Sequence, residues 1–478
     1  MDAKDKIQEG NSTSVGCQQG GGRIDLPNGF EEMVKDVIGN EWDAFVEALS
    51  DEPSVSIRVN SKIADCRLQI ADNDQLAAVK WCEWGRYLAE RPKFTYDPMF
   101  HAGAYYVQEA SSMFVWQALE QLVERDAMVL DMCAAPGGKS TAIASFLAED
   151  GFLVSNEYVP QRAHVLVENI TKWGAPNCVV TNNAPRHFEK LKSRFDAILV
   201  DAPCSGEGMF RKDERAREEW SVANVEMCVE RQREILQSAW KVLKPGGVLI
   251  YSTCTFNKHE NEEQVQWLID EMDAEYMPLK IEEDWMITET ERGYRFLPHK
   301  TRGEGLFLSA VRKLGVGEED NDMRSDKKRK DKKEKKQGKC GGGNSQISTY
   351  KLLNGNYDVV ESDGKYYAVQ KDRMDIVGDC RKVLNVLSFG VQMYEQKGKD
   401  LIPQAALALS QAYMRGAYPE VELSYEEAIS FLRKEAIVLA DAPRGFVLVT
   451  YNGLPLGWVK NIGNRCNNLY PEFWRIRN

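Results

Sequence analysis

Residues 127–141 read AMVLDMCAAPGGKST: an apolar run closed by Asp131, a turn of small residues, and a helix start at Lys139, Ser140 and Thr141. This is a strand–turn–helix unit, and the chain beyond it repeats the alternation. Strands are predicted at GFLVSNE (151–157), CVVT (178–181), FDAILVD (195–201) and GVLIYSTC (247–254). Helices fit between or after them at KSTAIASFL (139–147), QRAHVLVENITKW (161–173), VEMCVERQREILQSAWKVL (225–243) and ENEEQVQWLIDEM (260–272). Alternation of this kind implies βαβ units and a mostly parallel sheet, an α/β fold of Rossmann-like type. KPGG (244–247) stops the longest helix, and GYRFLPH (293–299) with GLFLSAVRK (305–313) is expected to close the sheet as an edge pair.

The turn after the first strand is neither of the two common phosphate loops. A P-loop requires glycine six residues before the lysine, where this chain has Cys133, and the dinucleotide fingerprint fails because Gly137 and Gly138 are adjacent. What remains is a small-residue turn that lets a ligand approach the backbone, followed by a helix start with exposed N–H groups. Glu157 ends the second strand about twenty residues on, where a carboxylate accepts ribose hydroxyls. An adenosine with a carboxylate-bearing tail suits both features, and S-adenosylmethionine is the expected cofactor. The alternative is a βα turn whose glycines merely permit packing.

Cys204 and Cys254 each sit just past an apolar run, in FDAILVDAPC and GVLIYSTC. If those runs are neighbouring parallel strands, both thiols emerge at one sheet edge, where open α/β folds place their ligands. One thiolate would attack an electron-poor carbon while the other assists later steps. Either cysteine alone reads equally as a small buried apolar residue. Asp201 precedes Cys204, and a carboxyl group there would hold or share a proton with a nucleobase ring nitrogen. Arg211, Lys212, Arg215 and Arg217 follow, as phosphate contacts or as a solvated helix face interleaved with Glu214, Glu218 and Glu219. The five histidines show no metal-ligand spacing, so no metal is expected; His259 is placed to orient Cys254 or to lie on the surface.

The chain has 478 residues with a formal net charge of −12, which by itself disfavours a nucleic-acid partner unless cations gather on one face. No apolar stretch approaches a membrane span, and no membrane partner is expected. The polar N-terminus lacks the apolar core of a signal peptide. Eleven cysteines without a C-x-x-C pair imply a reducing, cytoplasmic setting. Composition divides the chain into a disordered lead-in (1–25), a small N-terminal α/β domain (26–125), the strand–helix alternation (126–313), a lysine-rich disordered linker (314–346), a helical domain (347–420) and a compact β domain (421–478); the resemblance given below implies an RNA-binding type for the second and a catalytic domain for the third. In the first of the folded units Ser54, Ser56, Arg58 and Asn60 alternate with Val55, Ile57 and Val59 along a strand. In the fifth, NVLSFGVQMYEQ (385–396) and LIPQAALALSQAYM (401–414) read as helices, and Asn452-Gly453 marks a turn in the sixth.

DMCAAPGGKST, NEYVPQRAHVLVENI, DAPCSGEGMFRKD and YSTCTFNKHENEEQV resemble four ordered motifs of the Sun/Fmu family of RNA (cytosine-5)-methyltransferases, and SIRVN and GAYYVQEASSM resemble that family's upstream segments. The resemblance covers residues 29–313; GLPLGWVKNIGNRCNNLYPEFWRIR resembles the PUA-like end of its bacterial members that act on 16S ribosomal RNA. It implies an S-adenosylmethionine-dependent methyltransferase with Cys254 as nucleophile, Cys204 aiding release of the methylated RNA, and Asp201 contacting the target base near the methyl donor. Cys133, Ala134, Ala135, Pro136, Gly137, Gly138 and Lys139 would wrap the donor, and Glu157 would hold its ribose. Where the family carries an acidic residue near the adenine, this chain reads TNNAPRHF, with Asn183 or Ala184 at that place. DNA methyltransferases use the Pro-Cys thiol as nucleophile, so the Thr-Cys thiol at Cys254 points to RNA. The implied partner is ribosomal RNA, free or within the small subunit; the alternatives are transfer RNA, DNA, or a non-catalytic RNA-binding assembly role.

Overall fold

The computed structural model describes residues 24–63, 76–315 and 351–477. The expected lead-in and linker fall almost wholly outside these residues. Two short helices, α1 (Phe30–Ile38) and α2 (Trp42–Leu49), open the described chain. Strands β1 (Val55–Val59), β2 (Gly85–Leu88) and β3 (Tyr105–Val107) form an antiparallel sheet in the order β2-β1-β3. After helices α3 (Pro98–His101) and α4 (Val115–Leu122) comes the expected alternation: β4 (Met128–Asp131), α5 (Gly138–Phe146), β5 (Phe152–Asn156), α6 (Pro160–Trp173), β6 (Cys178–Thr181) and β7 (Phe195–Asp201). Helices α7 (Glu214–Glu219) and α8 (Val222–Val242) then lead into β8 (Leu243–Thr253) and α9 (Glu262–Glu271). Last come β9 (Ala274–Tyr276), β10 (Thr288–Thr290), β11 (Gly293–Phe296) and β12 (Leu306–Lys313).

The parallel core runs β6-β5-β4-β7-β8, so strand order reverses at β4 and opens a crevice at the carboxyl ends of β4 and β7. Alternation along each strand sends Val129, Leu153, Leu199 and Ile250 to one face, under α4 and α5, and Leu130, Val154, Ile198 and Leu249 to the other, under α8 and α9. Strands buried on both faces need these continuous apolar runs. β12 pairs antiparallel with β8 and β11 with β12, as expected of that pair, and β10 extends the sheet one strand past them.

The polar side of β1 is buried. Ile57 and Val59 pack toward the C-terminal β domain, whereas Arg58 and Asn60 grip the catalytic domain and Ser56 bonds the Gln108 carbonyl. Asn60 Nδ2 donates to the carbonyls of Gly103 and Trp173. The N-terminal sheet is therefore sandwiched between two other units. α1 and α2 pack on Phe210, Trp220 and Phe256, which lie on the segments following the two site cysteines.

The expected helices of the fifth unit are corrected. Residues 385–396 form β15 (Val386–Phe389) and most of β16 (Val391–Lys397), and the second segment divides into β17 (Asp400–Pro403) and a short helix (Ala405–Leu409). With β13 (Tyr357–Ser362) and β14 (Lys365–Gln370) preceding them, the order is β13-β14-β16-β17. Gly390, with φ 53°, lets the chain pass from one sheet to the next, and a Cβ there would lie 2.2 Å from the Ala368 carbonyl oxygen. β15 itself joins the catalytic sheet, antiparallel to β6. The helical spacing of apolar residues loses because an uncovered β6 would expose a row of unpaired backbone groups. The last unit holds β18 (Glu420–Glu422), β19 (Gly445–Tyr451), β20 (Leu454–Asn461) and β21 (Cys466–Asn468) in sequential order, and Asn452-Gly453 forms the β19–β20 turn with both φ values positive. Among the described residues no helix is long and apolar enough to cross a membrane.

Candidate active site

The first-strand loop leaves β4 at Asp131 and enters α5 at Gly138. Gly137 adopts φ 121°, a conformation that excludes most side chains, and no side chain caps the helix. The first-turn N–H groups of α5 are thus free of side-chain acceptors, as an anionic ligand tail requires. Neighbours hold the loop from behind. Arg162 Nη2 donates to the Ala135 carbonyl (2.6 Å), Asn169 Nδ2 to that of Pro136 (2.8 Å), and the Ala134 amide to the Asn156 carbonyl (2.8 Å). Arg58 reaches across from β1: Nη2 donates to the Gly138 carbonyl and to Thr141 Oγ1, Nε donates to Gln108, and the guanidinium lies over the Trp173 ring. Fully buried, it is held down to about 10 by desolvation.

Asp131 is also fully buried. Ser140 Oγ donates to one carboxyl oxygen at 2.6 Å, and the other oxygen has no partner within the protein. Burial pushes this carboxyl up to about 7. An orphaned acceptor at the loop's root, beside an uncapped helix start, fits a ligand bearing both a cation and a carboxylate. S-adenosylmethionine carries both.

Glu157 follows β5 and is 4% exposed. One of its oxygens accepts from the Val159 amide at 2.8 Å, and Arg162 lies 3.6 Å from the other. Asn182 Nδ2 donates to the carbonyls of Glu157 and Tyr158. Asn183, considered as an adenine contact, is engaged elsewhere, since its Nδ2 donates to the Asn385 carbonyl and its Oδ1 accepts from the Asn385 amide. Ala184 offers no side-chain polar group.

The two cysteines meet. β7 and β8 pair with Asp201 opposite Ser252, and the loops beyond them bring Cys204 Sγ within 3.2 Å of Cys254 Sγ. The hydrogen bond with Cys254, with burial second, raises the Cys204 thiol well above its ordinary value. Either sulfur can donate in this contact. Asp201 Oδ1 accepts from Ser252 Oγ and lies 2.7 Å from Lys139 Nζ. Burial opposes the Lys139 ammonium, but the Asp201 charge outweighs it and holds that pKa above the usual lysine value. Lys139 thus joins the donor loop to the cysteine pair.

Two buried carboxylates fix the cysteine loops. Glu207 accepts from the amides of Phe256 and Asn257, from Asn257 Nδ2 and from Trp220 Nε1. Glu260 accepts from the Ser205 amide, Gln232 Nε2 and Asn257 Nδ2, and desolvation raises its pKa. The Ser205 and Thr255 hydroxyls meet at 3.0 Å, and the Gly208 amide donates to the Cys254 carbonyl. Sequence reading passed over Glu207, Glu260, Asn156 and Arg58. The available signal was a glutamate between two glycines, in SGEG, where a short loop leaves its carboxylate no route to solvent.

Of the basic cluster, Arg211 is corrected as a phosphate contact: its side chain is buried against Glu304 at 2.7 Å and donates to the carbonyls of Ala48 and Gly303. Arg217 bonds the Phe210 carbonyl, whereas Lys212 and Arg215 stay exposed. His259 pairs with Glu263 on the surface at 2.9 Å.

The chain is similar to known proteins in sequence and in fold. Residues 118–312 match the family model for 16S rRNA methyltransferase RsmB/F, residues 26–110 the N-terminal domain of 16S rRNA methyltransferase RsmF, and residues 418–476 the methyltransferase RsmF PUA domain. Ribosomal RNA small subunit methyltransferase F of Enterobacter sp. (strain 638) is 32% identical over 473 residues, covering 90% of this chain and 92% of that protein. The Vibrio campbellii protein of that name is 31% identical over 479 residues, covering 94% and 97%. Among solved structures, a methyltransferase homolog protein from Pyrococcus horikoshii aligns with TM-score 0.51 and 28% identity, over 60% of this chain and 94% of that one. NSun6 from Pyrococcus horikoshii, solved with SFG, has the same fold with TM-score 0.51 and 23% identity, over 61% and 99%. With its donor loop, paired thiols and PUA-like end in one chain that matches such relatives nearly end to end, the protein belongs to the RsmF family of S-adenosylmethionine-dependent 16S ribosomal RNA methyltransferases.

Proposed function

We propose that this chain methylates carbon 5 of a cytosine in 16S ribosomal RNA through a transient bond between Cys254 and carbon 6. The single observation that carries the reading is the 3.2 Å pair of thiols at the ends of adjacent parallel strands, tied to the donor loop by Lys139 and Asp201. S-adenosylmethionine supplies an electrophilic methyl group when bound by residues 133–139 and Glu157. Carbon 5 of cytosine is too electron-poor to take that group unaided. Addition of the Cys254 thiolate to carbon 6 makes carbon 5 enamine-like, and Asp201 beside the ring holds a proton at the ring nitrogen as charge builds there. A base then removes the carbon 5 hydrogen and the carbon–sulfur bond breaks. The Cys204 S–H, which stays protonated, donates to the departing Cys254 sulfur and aids release. The PUA-like end selects the RNA, and exposed Arg215 meets a backbone phosphate.

The test is methyl transfer to 16S RNA by wild type, Cys254→Ala and Cys204→Ala. Cys254→Ala is expected to lose transfer, and Cys204→Ala to accumulate a protein–RNA adduct that survives denaturation. Normal turnover of Cys254→Ala would defeat the covalent route. A 5-methylcytosine map of 16S RNA unchanged on deleting the gene would defeat the substrate.

A further inference from the structure

We propose that Asn183 is a positioning residue through which the C-terminal module sets the adenosine end of the donor pocket. The proposal rests on the donor-pocket reading of Glu157 above. Two asparagine side chains form consecutive clamps across the sheet. The Asn183 amide group brackets the backbone of Asn385, donating to its carbonyl at 3.2 Å and accepting from its N–H at 3.0 Å, while the Asn182 backbone amide reaches the same carbonyl at 3.0 Å. The Asn156 amide group brackets the backbone of Asn183 in turn, donating to its carbonyl at 3.0 Å and accepting from its N–H at 3.0 Å.

Asn156 is the hub of the pocket wall. It is fully buried, accepts from Thr181 Oγ1, donates to the Met132 carbonyl at the root of the donor loop, and its own carbonyl accepts from the Ala134 amide. It is also the residue before Glu157, whose amide bonds the Thr181 carbonyl and whose carbonyl takes Asn182. The route from Asn385 thus reaches the backbone of Glu157 through the Asn183 and Asn156 clamps and the Asn156–Glu157 peptide bond. Asn385 lies at the start of β15, on the strand that the C-terminal module adds to β6. An acidic residue at position 183 would set a carboxylate against the Asn385 carbonyl. An amide side chain supplies a donor to the C=O and an acceptor to the N–H of the same residue, which an ionised carboxylate cannot.

The experiment is isothermal titration of the full chain with S-adenosylhomocysteine, together with steady-state kinetics in S-adenosylmethionine. Asn183→Ala is expected to weaken S-adenosylhomocysteine about tenfold, the effect of unpairing buried neutral hydrogen-bonding groups, and to raise KM for the donor similarly, with kcat at saturation within about twofold. Asn385→Pro removes the N–H that Asn183 accepts from and leaves Asn183 intact; it is expected to weaken binding as Asn183→Ala does. Phe389→Ala, which removes a ring stacked on Tyr367 at 4.2 Å but spares the clamps, is expected to lower the melting temperature and leave affinity within about twofold. Wild-type affinity in Asn183→Ala overturns the proposal. So does loss in Asn183→Ala with full affinity in Asn385→Pro, which would make Asn183 a direct adenine contact, and so does a loss in Phe389→Ala equal to that in Asn183→Ala. Failure of the wild type to bind S-adenosylhomocysteine would instead remove the donor-pocket reading itself.

Discussion

The two ends of the site are held by different chemistry. At the cysteine end, the carboxyl groups of Glu207 and Glu260 collect backbone and side-chain donors from within residues 205–260. At the donor end, neutral amides of Asn156 and Asn183 and the guanidinium of Arg58 connect the loop to other modules. A sulfur that must meet one ring carbon needs a rigid local frame, and buried ionic hydrogen bonds give the stiffest one. The donor loop is bordered by Arg58 of β1 and by Asn183, which is clamped to Asn385. The carboxyl hydrogen bonds of the cysteine end thus stay within one stretch of chain, although α1 and α2 pack behind it, whereas those of the donor end join three parts of the chain.

That contrast breaks most sharply at Glu207. Glu207→Ala leaves the Phe256 and Asn257 amides and Trp220 Nε1 without acceptors and is expected to lower kcat about a hundredfold or more, with S-adenosylhomocysteine affinity within about twofold of wild type by titration. Equal loss of both would show that the two ends are not separately held. The reverse change is expected of Arg58→Met: donor affinity falls about ten- to thirtyfold while adduct formation at saturating donor persists, measured by titration and denaturing gels.

Asp131 sharpens the comparison by pH. Its folded pKa of about 7 lies above the usual aspartate value of about 4, so the folded state binds the proton more tightly and stability is lost as pH rises through this range. Asp131→Asn is expected to flatten that decline, removing roughly 2–3 kcal/mol of pH dependence between about pH 5 and 7 in denaturant melts. The smallest effect is expected of Arg215→Ala. RNA binding should weaken about two- to threefold, and the slope of log affinity against log salt should fall by about 0.7–0.9, without a change in melting temperature.

How far these features were legible differs element by element. The parallel strands and their helices stood out because runs such as FDAILVD, buried on both faces, have no polar alternation to confuse them. The cysteine pair was legible because each follows such a run directly. Residues 385–396 misled because their apolar spacing suits a helix equally well, and what decides for strand is the open edge of β6, a partner more than two hundred residues away. Arg211 misled for a related reason. A cation in a charged run reads as solvated, and nothing local places Glu304 against it. The polar residues of β1 gave no local sign of their partners, and Arg58 and Asn60 lie at the seam with the catalytic domain.

The amino-acid order by itself determined what is local: strand–turn–helix periodicity, the glycine conformation at the donor loop, and thiols one step past two strands. These follow from backbone geometry and hydrophobic period over a few residues. Only the tertiary structure decided which buried polar groups face one another, because a carboxylate or an amide placed out of water takes whichever partner the packing of distant segments brings within about 3 Å. Through that selection Glu207 came to hold the cysteine loops and Asn183 to hold Asn385.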